Sequence, residues 1–361
     1  MTKDNLLIVV AMSGGVDSAV AAALLKEQGA DVIGMTLRLG EGGTCCGGKD
    51  LDDARRVAER IGIAHYVLDG ERRFHDDIIV PFAESYGRGE TPVPCVLCNE
   101  TVKFRDLLAA ARLLGATCLA TGHYVRRRDG GNGPELWRGR DLQRDQSYFL
   151  FATTRAQLEM VCFPLGEMPD KAHTRAQARR FGLPVAEKPD SQDICFVPNG
   201  DYGAVVRALR PDVVQPGEII HVDGRVVGEH PGVIHYTIGQ RRGLGVGGTE
   251  GPLYVVRLDP VRRQVVVGPR TALLRDCLTL RAVNWLGTGS SSSPPEDGCA
   301  VSVQLRSTQA AVPAKVHGDA DGSARVVLDE PFAGIAPGQA CVFYQNDQVL
   351  GGGWICRETA K

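Results

Sequence analysis

The sequence predicts an α/β protein in which a doubly wound parallel sheet is followed by two smaller β-rich units. In the first 125 residues, short apolar β-type runs alternate with helical runs, and this pattern is typical of a parallel sheet with helices on both faces. After about residue 205, Pro-Gly and Asp-Gly pairs separate short β-type runs, which predicts a small barrel or sandwich at the C-terminal end. The expected domains are residues 1–205, 206–272 and 273–361.

The elements of the first domain follow from apolar periodicity and from the residues that end each run. The predicted strands are residues 6–11, 31–39, 65–68 and 117–120. The predicted helices are residues 19–28, 50–61, 74–86, 100–114 and 174–181. Gly29 and Gly115 follow two of these helices, where glycine commonly ends a helix, and Pro81 is expected to kink a third. Further along, residues 253–258 and 264–267 are predicted strands around an Asp-Pro turn.

Composition narrows the class of protein without identifying a partner. The chain has 361 residues, 43% hydrophobic residues and a formal net charge of −2. No apolar run reaches the length of a membrane span, and the first residues lack the pattern of a signal peptide, so a cytoplasmic location is expected. The net charge does not point to nucleic acid, but local basic clusters do occur, and each alone is usually solvated surface charge. These clusters are Arg126, Arg127, Arg128; Arg138, Arg140, Arg144; and Arg241, Arg242.

A glycine-rich segment, SGGVDS at residues 13–18, lies between the first predicted strand and the first predicted helix. Glycines let the backbone approach a ligand closely, and a helix N-terminus offers unpaired N–H groups to an anion. An acidic Asp17 beside phosphates is explained if Mg²⁺ bridges the carboxylate and phosphate oxygens. The segment matches the SGGxDS signature of the PP-loop ATP pyrophosphatases, a resemblance that implies ATP cleaved to AMP and pyrophosphate. The alternative is a tight turn that happens to be rich in glycine.

Two of the segments that carry the eleven cysteines have chemistry beyond packing. PCVLCN at residues 94–99 directly precedes the predicted helix 100–114, where a helix N-terminus favours thiolate over thiol. KPDSQDICF at residues 188–196 carries Cys195. The alternative for Cys95 and Cys98 is half of a structural zinc site, but the other obvious pair, Cys45 and Cys46, is adjacent in sequence and poorly spaced for zinc.

Six longer segments of the chain carry a further resemblance: CNETVKF at residues 98–104, TGHY at 121–124, DQSYFL at 145–150, DICF at 193–196, HYTIGQRRG at 235–243 and PGQACVFY at 337–344. They resemble segments of the bacterial tRNA-specific 2-thiouridylases, which act on the wobble uridine. CNETVKF is similar to the family's CNxxIKF, and TGHY to its ATGHY strand end. The resemblance covers nearly the whole chain. It implies a PP-loop domain, a small central β-rich domain and a C-terminal β-barrel that helps to hold tRNA.

The resemblance implies ATP-dependent 2-thiolation of uridine 34 of tRNA, with ATP and Mg²⁺ as cofactors. It implies that Cys98 is the nucleophile and that Cys195 carries a persulfide. The implied ATP-binding residues are Ala11, Met12, Ser13, Gly14, Gly15, Val16, Asp17, Ser18, Met35 and Gly122. The implied tRNA-binding residues are Val93, Pro94, Cys95, His123, Arg144, Asp145, Gln146, Arg306, Ser307 and Gln339. The implied partners are tRNA, a protein that donates persulfide sulfur and a thiol reductant.

Two positions depart from the family's pattern. Ser307 stands where the family has tyrosine, so an aromatic contact is missing. Cys95 stands where the family's Asn-Pro-Asp loop has the carboxylate assigned to proton transfer, which leaves the general acid or base without a residue. Three interpretations of Cys95 are open: a small residue in a tight loop, a thiol that resolves the Cys98 persulfide or disulfide, or a ligand, with Cys98 and Cys195, of a [4Fe–4S] cluster with one open iron. The sequence favours persulfide chemistry, with the cluster, another PP-loop ligase and a non-catalytic metal- or RNA-binding protein as alternatives.

Overall fold

The computed structural model describes residues 6–40, 47–190, 194–197, 200–247, 251–287 and 293–357, so Cys45, Cys46 and Asp193 lie outside the described residues. The strands are β1 Leu7–Ala11, β2 Asp31–Arg38, β3 Ala64–Asp69, β4 Cys118–Ala120, β5 Val125–Gly130, β6 Gly133–Arg138, β7 Val161–Cys162, β8 Gly217–His221, β9 Val226–His230, β10 Tyr254–Asp259, β11 Gln264–Gly268, β12 Leu274–Trp285, β13 Cys299–Gln304, β14 Val312–Gly318, β15 Ala324–Ala333, β16 Ala340–Gln345 and β17 Gln348–Ile355. The α-helices are α1 Val16–Glu27, α2 Gly48–Ile61, α3 Glu71–Phe74, α4 Val80–Gly87, α5 Pro94–Leu97, α6 Leu108–Leu113, α7 Arg155–Leu158, α8 Lys171–Arg180 and α9 Tyr202–Leu209.

A five-stranded sheet in the order β3-β2-β1-β4-β7 forms the first domain, and all of its pairings are parallel. Alternate residues of β1 point to opposite faces: Val9 packs in one apolar cluster and Val10 in the other. Helices α1, α2 and α8 contribute to the cluster around Val10, whereas the helical segments between residues 71 and 113 contribute to the one around Val9. The doubly wound sheet predicted from the sequence is therefore confirmed.

The two cysteines of the PCVLCN segment lie inside a helix, and the expectation that they precede one was wrong. Helix α5 begins at Pro94, continues as a π-helical segment over Cys98–Leu107 and ends as α6. Proline is well suited to the first helical position, because its ring fixes a helical φ and the missing N–H is not needed there. A second π-helical segment, His75–Ile79, joins α3 to α4 just before Pro81, where the sequence predicted a kink.

The central domain is a four-stranded sheet in the order β10-β11-β8-β9, with a parallel pairing between β11 and β8. Its apolar side chains, among them Ile219, Val255 and Val265, pack with Phe82 and Tyr86 of α4. This cluster also includes Phe196, the residue after Cys195, as a partly buried member. The central sheet therefore shares its core with the first domain beside the cysteine-bearing segment.

The C-terminal strands form a barrel, because β12 pairs with β15 on one side and with β17 on the other. A hairpin of the first domain, β5–β6, extends this sheet through Val349 opposite Leu136. Arg126 on that hairpin donates to the carbonyl of Arg138, and the guanidinium of Arg128 lies 4.6 Å from the centre of the Trp137 ring. Arg126 and Arg128 of this basic cluster therefore make contacts within the hairpin itself. A membrane-spanning helix is not found in the parts of the chain that the structure describes.

Candidate active site at the carboxyl edge of the parallel sheet

The glycine-rich segment forms a tight loop between β1 and α1. Gly14 has a φ of 72°, and a Cβ there would lie 2.2 Å from the carbonyl oxygen of Asp50, so a larger residue would not fit. Gly15 is the N-cap residue of α1 and has no side chain to cap the helix. The first N–H groups of α1 therefore have no side-chain cap from Gly15, which is compatible with the anion site that the sequence predicts.

Asp17 is held by two groups that the sequence analysis did not identify. Lys171 Nζ lies 2.8 Å from both carboxylate oxygens of Asp17, and the hydroxyl of Tyr124 donates to Asp17 Oδ1 at 2.7 Å. Burial and the neighbouring Asp17 charge raise the pKa of Tyr124, so its hydroxyl stays protonated and remains a donor. Lys171 is the first residue of α8, and Tyr124 follows the end of β4. The sequence around these two residues gives no indication that they contact Asp17.

A cavity of about 310 Å³ at the carboxyl ends of β1, β2 and β4 joins the phosphate loop to the cysteines. Three thiols line it: Cys95, Cys98 and Cys195. Of the predicted ATP-binding residues, the ones that line the same cavity are Ala11, Met12, Ser13, Asp17, Ser18, Met35 and Gly122. Gly15 and Val16 line an adjoining cavity of about 250 Å³, together with Asp17 and Lys171. The fold therefore brings two cysteines that are 97 positions apart, Cys98 and Cys195, to the nucleotide loop.

Gly122 supports the back of the loop by its lack of a side chain. A Cβ at Gly122 would lie 2.6 Å from the backbone nitrogen of Ser18. The backbone of Met12 donates to the carbonyl of Met35 at 2.8 Å, which fixes β2 beside the loop. Gly122 and Met35 are distant from the loop in sequence, but these close contacts place both of them beside it, in the predicted nucleotide site.

Cys98 is almost fully buried, with 8% of its surface exposed, whereas Cys95 is exposed. Helix position explains the difference, because residues three apart lie on the same side of a helix but at different heights along it. Cys95 lies in the first turn, whereas Cys98 lies one turn later and belongs to the apolar cluster that includes Val102 and Leu107. A buried Cys98 that still lines the cavity is placed to react with a ligand in the cavity rather than with bulk solvent.

Lys103 brings a positive charge to the wall of the thiol cavity. Its Nζ donates to Asn99 Oδ1 at 2.9 Å, and Asn99 Nδ2 donates to the carbonyl of Phe149 at 3.0 Å. Burial, together with the charge of Lys103, lowers the pKa of His123 to about 3. The His123 ring, whose Nδ1 lies 2.8 Å from Thr121 Oγ1, is therefore neutral at physiological pH.

The residues predicted to contact tRNA fall into two groups. His123 and Gln146 line the thiol cavity beside Pro94 and Cys95, and Arg144 lines the adjoining one. Gln146 also accepts the backbone N–H of Tyr124, at 2.9 Å. The other group does not line either cavity and consists of Val93, the N-cap residue of α5, Asp145 of the first domain, and Arg306, Ser307 and Gln339 of the C-terminal domain.

Two residues of the second group, Arg306 and Gln339, make contacts between domains, whereas Asp145 makes contacts within the first domain. Asp145 accepts from the backbone of Gly139 at 3.0 Å and from Arg138 Nη1 at 3.3 Å. Arg306 donates to the carbonyls of Ile238 and Gly334, and so links the central domain to the barrel. Gln339 Nε2 donates to the carbonyl of Thr91 at 2.8 Å, just before Val93 and α5. Sequence motifs identified these positions but not their structural contacts.

Two expected cofactors differ in how well these residues fit them. Asp17 offers a carboxylate beside the phosphate loop, which is the oxygen ligand that Mg²⁺ prefers. For a cluster, three thiols line one cavity, yet no three His, Cys, Asp or Glu side chains among the described residues are grouped closely enough to hold a metal. Asp17 is the one carboxylate among the described residues that line the thiol cavity.

Three domain families match the chain in succession. Residues 6–199 match the tRNA methyl transferase HUP domain, residues 210–269 the tRNA methyl transferase PRC-barrel domain, and residues 275–355 the aminomethyltransferase β-barrel domain. Among solved structures, the chain resembles a 4-thiouridine synthetase–RNA complex with bound ATP (18% identity, TM-score 0.37, 57% of this chain and 51% of that one). It also resembles the U34-tRNA thiolase NcsA from Methanococcus maripaludis with its [4Fe–4S] cluster (18% identity, TM-score 0.35, 58% and 66%). These values are too low to carry an argument about ligands.

Whole-chain relatives are far more similar. The chain is 62% identical to the tRNA-specific 2-thiouridylase MnmA of Rhodospirillum centenum, over 98% of this chain and 92% of that protein. It is 61% identical to the tRNA-specific 2-thiouridylase MnmA of Rhodospirillum rubrum, over 96% of this chain and 95% of that protein. With such identity over nearly the full length of both chains, the protein belongs to the tRNA-specific 2-thiouridylase family.

Proposed function

We propose that this protein uses ATP to convert the wobble uridine of tRNA to 2-thiouridine, with AMP and pyrophosphate as the other products. The observation that carries the proposal is the cavity lined both by the phosphate loop and by Cys95, Cys98 and Cys195. A nucleotide-activating loop and a set of thiols are the two components that a sulfur transfer to an activated carbonyl needs. Membership of the 2-thiouridylase family supports this assignment of the substrate.

The first step activates the base. The C2 oxygen of uridine is a poor leaving group, so O2 attacks the α-phosphorus of ATP, pyrophosphate leaves, and the oxygen becomes part of an AMP ester. The backbone N–H groups at the start of α1 would stabilise the charge that develops on pyrophosphate. Asp17 would hold Mg²⁺, which neutralises phosphate charge when it is bound. Lys171 already balances the Asp17 charge in the free enzyme.

The second step brings sulfur. A donor persulfide exchanges with the Cys195 thiol, which becomes a persulfide while the donor keeps a thiol. The Cys98 thiolate then attacks the Cys195 sulfur, which forms a Cys98–Cys195 disulfide and releases sulfide to attack C2. In the other order, the persulfide attacks C2 first and Cys98 releases the thiolated base afterwards. AMP leaves C2 in both orders, and an external dithiol reduces the disulfide.

The tRNA would reach this cavity past His123, Gln146 and the α5 start at Val93, Pro94 and Cys95. His123 and Gln146 line the same cavity as the thiols, which supports their predicted contact with the target nucleotide. Arg144, at the outer cavity, would contact a phosphate. Arg306, Ser307 and Gln339 would contact tRNA farther away, on the barrel.

A cluster held by Cys95, Cys98 and Cys195 is the alternative form of the same reaction. The feature that favours it is the thiol at position 95, which lines the cavity with the other two. Anaerobic purification followed by iron and sulfide analysis separates the two chemistries. Bound iron near four per protein, lost together with activity in Cys95→Ala, would establish the cluster. A colourless protein that thiolates tRNA from a persulfide donor, with Cys95→Ala active, would establish persulfide chemistry.

The experiment that tests the proposed function compares two tRNA transcripts that differ only at the wobble position. The full-length protein is incubated with ATP, Mg²⁺ and a transcript that carries either uridine or cytidine there. Pyrophosphate release with the uridine transcript alone is expected. Release with neither transcript would contradict the proposal and would leave a binding protein as the reading, whereas equal release with both would point to another adenylating ligase.

A further inference from the structure

An ionic network joins the phosphate loop to the start of the segment that carries Cys195. Lys188 Nζ lies 2.9 Å from the carbonyl oxygen of Gly14, 2.6 Å from Asp50 Oδ1 and 2.6 Å from Asp53 Oδ2. An ammonium group has three N–H donors, and these three acceptors use all of them. Lys188 therefore connects the loop and α2 to the Cys195 segment and has no donor left for a phosphate.

Asp190 makes a second connection two residues later. Its Oδ1 accepts from Lys171 Nζ at 2.8 Å and from Arg175 Nη2 at 3.1 Å, while its Oδ2 accepts from Arg144 Nη1 at 3.1 Å. Lys171 is the same residue that binds Asp17. The start of the Cys195 segment is thus tied to the loop at Gly14, through Lys188, and at Asp17, through Asp190 and Lys171.

The burial of these groups makes the network stronger than ordinary surface ion pairs. The side chain of Lys188 is 22% exposed and that of Asp53 only 6%, whereas exposed pairs contribute little to stability. Burial opposes ionisation of Asp190, yet its hydrogen bond to Lys171 and the surrounding cations hold its pKa below the usual range. The Asp190 carboxylate is therefore charged at physiological pH, and its connection to Lys171 persists there.

We propose that Lys188 and Asp190 are positioning residues, which hold the start of the Cys195 segment against the phosphate loop so that sulfur reaches the adenylated uridine before water does. The inference rests on the proposed function and extends it to residues outside the predicted site. When the start of the segment is displaced, adenylation continues but the adenylated uridine has a longer lifetime before sulfur reaches it. Water then attacks it, AMP leaves, and the original uridine returns. ATP is consumed without thiolation.

The quantity that reports this role is the number of 2-thiouridines formed per pyrophosphate released. A structural defect lowers both products together and leaves their ratio unchanged, because the unfolded fraction makes neither. A misplaced Cys195 lowers the ratio. Small misplacements of reacting groups reduce rates strongly, so a fall of about tenfold is expected when Asp190 loses its charge.

The experiment uses the full-length protein, tRNA, ATP, Mg²⁺ and glutathione persulfide as the sulfur source, with both products measured in the same reaction. Asp190→Asn keeps the shape of the side chain but removes its charge. Asp170→Asn is the matched control, since Asp170 caps the same helix, α8, and asparagine is an equally good cap. Lys188→Arg keeps the charge but changes the donor geometry at Gly14, and provides a milder test if Asp190→Asn does not fold.

A ratio near that of the wild type in Asp170→Asn and a ratio about tenfold lower in Asp190→Asn, or lowered in Lys188→Arg, would support the inference. Equal ratios in all four proteins would overturn it and leave the network as a contribution to stability alone. A wild-type protein that forms no 2-thiouridine, or releases no pyrophosphate with tRNA, would instead refute the proposed function. The two failures are therefore distinguishable.

Discussion

Lys171 Nζ lies 2.8 Å from each carboxylate oxygen of Asp17, at the start of the helix that follows the phosphate loop. This contact explains how an acidic residue is tolerated where phosphates are expected to bind. The negative charge is balanced in the free enzyme by Lys171, and the Tyr124 hydroxyl orients one oxygen. Asp17 is thus fixed in position before a metal or nucleotide arrives, and its contribution can be tested separately from the fold.

Asp17→Ala is expected to abolish tRNA-dependent pyrophosphate release, because it removes the carboxylate that would hold Mg²⁺ and the partner of Lys171. Circular dichroism should show a folded protein, since the residue packs at a cavity rather than in a core. Asp52→Ala serves as the control, because Asp52 is an exposed carboxylate of α2. Unchanged pyrophosphate release in a folded Asp17→Ala protein would contradict the assignment of the loop to the nucleotide site.

The two buried or half-buried thiols should have separate roles. Cys195→Ser is expected to block loading of labelled persulfide sulfur, whereas Cys98→Ser should load sulfur but deliver none to tRNA. The reason is that Cys195 accepts the sulfur and Cys98 releases it by thiolate attack. Protein mass analysis locates the label. Label on Cys98 in the Cys195→Ser protein would mean that the two roles are reversed.

His123 should make the protein less stable at mildly acidic pH. Its pKa is lowered to about 3 in the folded state, whereas an unfolded histidine titrates near 6.5. Below pH 6.5 the unfolded chain therefore binds the proton first, and stability is lost as pH falls toward the folded pKa. Between pH 7 and 5 the loss is about 2 kcal/mol.

Urea unfolding of the wild type and His123→Asn at both pH values measures this contribution. The free energy of unfolding should fall more steeply in the wild type, since asparagine does not titrate. The other histidines are common to both proteins and cancel in the comparison. The same pH dependence in both proteins would mean that the imidazole is not kept neutral by its surroundings.

Arg144→Ala is expected to weaken tRNA binding and to flatten its salt dependence. A lost phosphate contact releases fewer counterions, so the slope of log affinity against log salt should fall by roughly 0.7 to 0.9. Arg128→Ala is a matched control, because both side chains are 46% exposed but Arg128 stacks on Trp137 of the hairpin. An unchanged salt dependence in Arg144→Ala would mean that Arg144 contacts no tRNA phosphate and serves only in its ion pair with Asp190.

The sequence predicted the phosphate loop because its chemistry is local: two glycines, a strand before them and a helix after them. It also predicted the parallel sheet and a C-terminal barrel or sandwich, because each element carries its own periodicity, while the choice of a barrel came from the family resemblance. The start of α5 at Pro94 was missed because the amphipathic pattern becomes strong only after Glu100, while the first turn is stabilised by the proline. Local sequence patterns were therefore sufficient to predict which segments form helices and strands, but not to predict where this helix begins.

Contacts between residues that are far apart in the sequence could not be predicted from the sequence. The pairing of Leu136 with Val349 extends the barrel with a hairpin of the first domain, and nothing in either strand specifies that register. Lys171 and Lys188 were missed for the same reason, since a lysine near a helix end or before a proline usually lies at the surface. Their partners, Asp17 and Gly14, are more than 150 residues away.

The most direct test of the central claim is mass analysis of the nucleosides in tRNA from cells that lack this protein. The account predicts that wobble 2-thiouridine is absent from these cells, that the wild-type gene restores it, and that the Cys98→Ser gene does not. Undiminished 2-thiouridine in the cells that lack the protein, or full restoration by Cys98→Ser, would contradict the account.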